Sequence, residues 1–177
     1  MRRALVFLLL VGLSMPVVAA DEAAPTEIPQ FPNFTLTRLD GDGTIQLDDF
    51  DGRPVLLTFW ASWCGPCRTE LPELKKLYGE LAGKGFVLLT VNVDSMPISA
   101  SHFLKTLKLE IPVYRMAQRD LVMLGVNSLP TNVLLDPERR PVQIYRGYSP
   151  QVVDDIRRLV GEMLDTPAAD DDASTDS

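Results

Sequence analysis

Trp60-Ala61-Ser62-Trp63-Cys64-Gly65-Pro66-Cys67 decides how this chain is read. Ahead of it, Val55-Leu56-Leu57-Thr58-Phe59 is a short, nearly continuous apolar run, the pattern of a buried strand. Behind it, Cys67, Leu71, Leu74, Tyr78 and Leu81 recur at helical spacing and form one apolar face. The two cysteines therefore stand where a core strand ends and a helix begins. There the unpaired N–H groups and the positive end of the helix dipole favour the thiolate of Cys64, the form that attacks a disulfide. Cys67, one turn later, faces inward and is close enough to close a ring with Cys64. The pattern is one for thiol–disulfide exchange.

Other uses of a C-x-x-C fit poorly. A zinc site takes four protein ligands, or three and a water, and the chain has two cysteines and one histidine. A purely structural disulfide over so short a loop restrains little of the unfolded chain. His102, the sole histidine, falls on a predicted helix over Ser99–Lys108 and reads as a surface or half-buried side chain. Asp40-Gly41-Asp42-Gly43-Thr44-Ile45 resembles the middle of an EF-hand loop, but that register puts Arg38 at the first ligand position and Asp49 at the last. No metal and no cofactor beyond the cysteine pair is expected.

Phe59 to Cys67 resembles the active-site stretch of the thioredoxin superfamily. The continuation Arg68-Thr69-Glu70-Leu71-Pro72-Glu73-Leu74 resembles its TlpA/ResA-like branch, exported bacterial thiol–disulfide reductases. A second stretch agrees: Gly125-Val126-Asn127-Ser128-Leu129-Pro130-Thr131 is similar to the segment that carries a cis-proline facing the cysteines in such proteins. The resemblance implies that Leu129–Pro130 is cis, and that Trp63, Gly65, Pro66, Leu129 and Pro130 support the catalytic Cys64 and Cys67. It implies an α/β, thioredoxin-like fold over residues 31–164, a central mixed sheet flanked by helices with an N-terminal β-hairpin.

The remaining pattern fits that order. Phe34, Leu36, Ile45 and Leu47 alternate with polar residues around the glycine-rich turn, a hairpin signal. The active-site helix is expected from Cys64 to Ala82, kinked by Pro72 near Arg68 and ended by Gly83 and Gly85. Residues 86–93 read as a second buried strand, parallel to the first through a right-handed crossover. Ile111–Tyr114 is a short extended segment, and Arg119–Leu124 a short helix. Pro130 opens the strand Thr131–Asp136, and Val142–Arg146 returns beside it. Ser149 caps a last helix with Pro150 at its first position and an apolar stripe from Val152 to Leu164.

Residues 1–20 read as a cleaved signal peptide: Arg2 and Arg3, an apolar stretch Ala4–Leu13, then Val18-Ala19-Ala20. The stretch is short for a membrane span, which leaves an uncleaved anchor as the lesser reading. Residues 21–30 are a linker rich in proline, alanine and acids, and 165–177 an acidic tail expected to be disordered. The net charge of −7 becomes −9 once Arg2 and Arg3 are removed, which argues against nucleic acid and anionic membrane surfaces as partners. The expected compartment is the bacterial periplasm, where a reactive pair is either an oxidant or needs a dedicated electron donor.

The intervening Gly65-Pro66 is the thioredoxin pair, whose potential is roughly −270 mV, against about −120 mV for the strong oxidant DsbA. A reductase is expected, acting as a monomer on disulfides of exported proteins such as cytochrome c apoprotein or copper-centre assembly proteins, and fed by a membrane electron donor. An oxidase or isomerase, or a redox-inactive peptide-binding module, is the alternative. A copper-site thiol protein needs a wider cysteine spacing, and the cysteine context of a peroxiredoxin is absent. Thioredoxin carries a buried aspartate at the position of Thr58. The acids available to trade a proton with Cys67 are Glu70 and Asp94, with capping of the next helix as the competing role for Asp94.

Overall fold

A computed structural model describes residues 28–166. Residues 1–20, read as a signal peptide, residues 21–27 of the expected linker and residues 167–177 of the expected tail lie outside the described residues. The described chain runs β1 (Thr35–Arg38), β2 (Thr44–Gln46), β3 (Val55–Trp60), α1 (Gly65–Leu81), β4 (Val87–Asn92), α2 (Pro97–Leu107), β5 (Val113–Arg115), α3 (Gln118–Met123), β6 (Thr131–Leu135), β7 (Pro141–Arg146) and α4 (Pro150–Asp165). The strands form one mixed sheet in the order β2-β1-β5-β4-β3-β6-β7.

Every residue of β3, β4 and β6 is buried. That is why these runs are mostly apolar instead of alternating: helices or loops cover both faces. β3 pairs in parallel with β4 and antiparallel with β6, so it is an interior strand of the sheet. One face carries Leu57, Phe59, Leu89 and Val91 against the N-terminal hairpin and Leu121 of α3. The other carries Leu56, Leu88 and Leu134 against Leu74 and Leu77 of α1 and Ile156 and Val160 of α4. At its upper end this second layer continues as Trp60, Cys64, Cys67 and Leu71 packed on Ala100 and Phe103 of α2.

The hairpin forms as expected, with Gly41 and Gly43 at positive φ in its turn. Within that turn the Arg38 guanidinium bonds Asp40, so strand pairing and an ion pair occupy the stretch that resembles a calcium loop. The segment after α2 does more than the sequence suggests. β5 pairs antiparallel with β1 and parallel with β4, and so joins the hairpin to the central sheet. α1 runs through Pro72 and passes into a short 3-10 turn, after which Gly85 adopts the left-handed conformation at φ 112°. Ser149 holds the N-cap position of α4 but makes no capping hydrogen bond through its side chain, in contrast to the expected cap.

Candidate active site

β3 delivers the chain to the upper edge of the sheet at Trp60, and Ala61 to Trp63 turn it into α1. The turn is held from below. The carboxylate of Asp94 accepts from the Ser62 amide (3.0 Å), the Ser62 hydroxyl (3.0 Å) and the Asn92 side-chain amide (2.8 Å). Val93 N–H adds a bond to Trp60 C=O at 2.9 Å. Capping by Asp94 is therefore overturned: Met96, not Asp94, is the N-cap of α2, and no side chain caps that helix. Asp94 ties the active-site turn to the end of β4. Sequence reasoning missed Ser62 and Asn92 as its partners.

Cys64 is the N-cap of α1, with Gly65 and Pro66 in the first turn. Its Sγ accepts from the Cys67 backbone N–H at 3.2 Å, taking the place an oxygen fills in most N-caps. That bond and the positive helix end both favour negative charge on this sulfur. A disulfide joins Cys64 to Cys67. Cys67 is 0 % exposed, as its inward position requires, and Cys64 is only 5 % exposed. Both belong to one apolar cluster with Ala61 and with Ala100 and Phe103 of α2. Trp63, at 73 %, is exposed, as are Gly65 and Pro66.

Leu129–Pro130 is cis. The bend is held by the Thr131 hydroxyl donating to Ser128 C=O (2.8 Å) and by Gly147 N–H donating to Pro130 C=O (2.8 Å). Leu129 packs against the cluster that contains both cysteines, so the two sequence motifs meet in space. Between them opens a groove of about 360 Å³ whose lining includes Trp63, Gln118, Val122, Val126, Ser128 and Leu129 and no charged residue. α3 supplies Gln118 and Val122, which the sequence did not single out; the exposure of Val122 is seen only in the structure.

Glu70 lies one turn after Cys67 on α1 and is 0 % exposed. Its Oε1 accepts from the Asn132 side-chain amide at 2.8 Å, and its Oε2 has no partner among the described residues. Burial pushes its pKa up to about 7, against a smaller downward pull from the Asn132 hydrogen bond. Asn132 was missed as a site residue, although a lone amide in the run Val133-Leu134-Leu135 was visible. His102 is exposed on α2, as a surface histidine.

A redox disulfide at a strand-to-helix turn, faced by a cis-proline, defines a thioredoxin-like thiol–disulfide oxidoreductase. Residues 29–168 match the AhpC/TSA family, and the chain belongs to it. Among its relatives is the thiol-disulfide oxidoreductase ResA of Bacillus thuringiensis subsp. konkukian, 35 % identical over 66 % of this chain and 67 % of that one. ResA of Bacillus subtilis is 32 % identical over 73 % of each chain. Among solved structures, the chain is similar to a secreted thiol-disulfide isomerase from Corynebacterium glutamicum (TM-score 0.66, 28 % identity, 76 % of this chain and 85 % of that one). It is also similar to the thioredoxin domain of a thiol-disulfide oxidoreductase from Bacteroides vulgatus (TM-score 0.66, 27 % identity, 77 % and 96 %).

Proposed function

We propose that this oxidoreductase works as a reductase on disulfides of exported proteins. The observation that carries the reading is the Cys64–Cys67 pair at the start of α1, beside cis Leu129–Pro130 and an uncharged groove. An extended substrate segment lies in that groove, its backbone meeting Leu129, whose own N–H and C=O take no hydrogen bond among the described residues. Gly65 has open space where a side chain would project, so it adds no cover beside the cysteines.

The reduced Cys64 thiolate attacks one sulfur of the substrate disulfide. A mixed disulfide forms, and the other substrate sulfur leaves as a thiolate. Glu70 then takes the proton of Cys67, and the Cys67 thiolate attacks Cys64 Sγ. The substrate leaves as a dithiol and the Cys64–Cys67 disulfide is restored, two electrons having passed to the substrate. Glu70 suits this step because a pKa of about 7 lets it accept and return a proton near neutrality. Asp94 suits it less, since three hydrogen bonds already engage its carboxylate.

Direction follows from how weakly the reduced form is held. A strongly oxidising pair needs a much-stabilised thiolate. Here one backbone N–H is aimed at Cys64 Sγ, and the nearby cation, Arg68, stacks on the Phe103 ring at 4.9 Å. With Gly65-Pro66 between the cysteines, the pair is reducing. The setting is the periplasm, after cleavage of residues 1–20, with a membrane donor of electrons and a monomeric enzyme. Equilibration of the purified protein with glutathione redox buffers tests this. The expected potential lies near roughly −270 mV, and a value near about −120 mV overturns the reductase in favour of the oxidase reading.

A further inference from the structure

Three adjacent strands carry a polar residue at one shared register in an otherwise apolar layer. Asn132 of β6 lies opposite Thr58 of β3, and Thr58 lies opposite Thr90 of β4. The neighbouring row on the same face, Leu134, Leu56 and Leu88, is apolar and packs on α1. Alternation along each strand therefore puts Asn132 and Thr58 beneath α1 as well, with opposed side chains about 5 Å apart at Cβ. Asn132 and Thr58 are both 0 % exposed. Thr90 is satisfied by Pro112 C=O at 2.6 Å. Asn132 instead reaches up to Glu70, while Thr58 Oγ1, Asn132 Oδ1 and Glu70 Oε2 remain without partners among the described residues.

This arrangement fixes where the proton of Glu70 goes. The N–H of a side-chain amide only donates, so the Glu70 oxygen it meets is an acceptor in both protonation states. That oxygen is Oε1. The acid proton must then sit on Oε2, the oxygen no other group holds. We propose that Asn132 is a positioning residue: it pins Glu70 Oε1 and so leaves Oε2 as the oxygen that takes and returns the Cys67 proton. The inference rests on the reading of Glu70 as the acid–base group.

The same bond is stronger to the carboxylate than to the neutral acid, so it opposes burial and keeps Glu70 titrating near neutrality. Among the described residues, the other buried ionisable groups are the two cysteines, Asp94 and Tyr114. Asp94 is tied to Ser62 and Asn92 at the end of β4, and Tyr114 belongs to the opposite face of the sheet. On the α1 face, half-buried Tyr145 is bonded to Asp155 of α4, and Tyr78 packs on Phe86 further along α1. Asn132 is thus the group bonded to Glu70. β6 is paired on both sides, with β3 and β7, so its backbone holds the amide in place.

The test uses 5,5′-dithiobis(2-nitrobenzoate) and the reduced full chain in stopped flow from pH 5 to 9. Release of the first thionitrobenzoate reports attack by Cys64, and release of the second reports resolution by Cys67. The second step is expected to rise with an inflection near pH 7 that Glu70→Gln abolishes. Asn132→Leu is expected to move that inflection upward by about one pH unit and to slow resolution at pH 7 about fivefold, with the first step unchanged. Asn132→Thr, smaller and well suited to a strand, is expected to act in the same direction. The double variant Glu70→Gln, Asn132→Leu is expected to resolve no more slowly than Glu70→Gln alone. An inflection lost in Glu70→Gln but unmoved in both Asn132 variants overturns the positioning role and leaves Glu70 as the acid–base group. An inflection retained in Glu70→Gln overturns both.

Discussion

Cys64 and Cys67 differ little in exposure, 5 % against 0 %, so access alone does not divide their labour. Hydrogen bonding does. Cys64 Sγ sits at the helix N-cap and accepts the Cys67 N–H, whereas Cys67 is enclosed by Leu71, Ala100 and Phe103, where an ion is costly. In the proposed mechanism Cys64 is the nucleophile and Cys67 the resolving thiol. Cys67→Ala is expected to accumulate mixed disulfides with partner proteins on non-reducing gels when produced in an exporting cell. Cys64→Ala is expected to trap almost none, and equal trapping by the two variants would reverse the assignment. The trapped proteins, identified by mass spectrometry, report the substrates.

At the scale of elements, the site depends on α2 as much as on the helix that bears the cysteines. Phe103 of α2 packs on Trp60 with ring centroids 5.2 Å apart, and Arg68 of α1 lies over the same ring. β3, α1 and α2 are joined at this point, immediately behind the disulfide. Truncating the ring empties a volume that surrounding rigid elements cannot fill. Phe103→Ala is therefore expected to lower the unfolding free energy by about 3–5 kcal/mol in urea titrations. A loss under about 1 kcal/mol would show that α2 is a loosely attached flap and not part of the core.

The stability of the molecule as a whole carries the mark of one buried carboxyl. Glu70 holds its proton to about pH 7 in the folded protein and releases it at an ordinary carboxylate value when unfolded. Between those values the native state binds more protons, so stability falls as pH rises. The contribution is fully present below the unfolded pKa and lost as pH passes through the folded one. Glu70→Gln, which mimics the neutral acid, is expected to gain stability relative to the parent by on the order of 3 kcal/mol between pH 4.5 and pH 7.5, both measured as disulfides. A parent-minus-variant difference that is flat with pH would show that Glu70 ionises freely inside the fold.

Local pattern sufficed for the elements and for the reactive pair. Apolar runs at 55–59 and 86–93 and helical spacing from Cys67 to Leu81 reappear as β3, β4 and α1, while the cis bond at Leu129–Pro130 was implied by the family resemblance. Periodicity acts within a few residues, so sequence alone determines those elements. What tertiary structure decided lies between elements far apart in the chain. β5, a three-residue strand, owes its existence to the edges of β1 and β4 on either side. Asp94 is not the expected helix cap but ties the active-site turn, because the ends of β3 and β4 lie side by side. Cys64, 5 % exposed, is nearly covered within a cluster that includes Ala100 and Phe103 of α2. Glu70 became a neutral-range acid only through burial against the sheet beneath α1, where Asn132, 62 residues away, supplies the one hydrogen bond to its carboxyl among the described residues. A pKa depends on the whole surrounding volume of solvent and charge, and no stretch of sequence contains that volume.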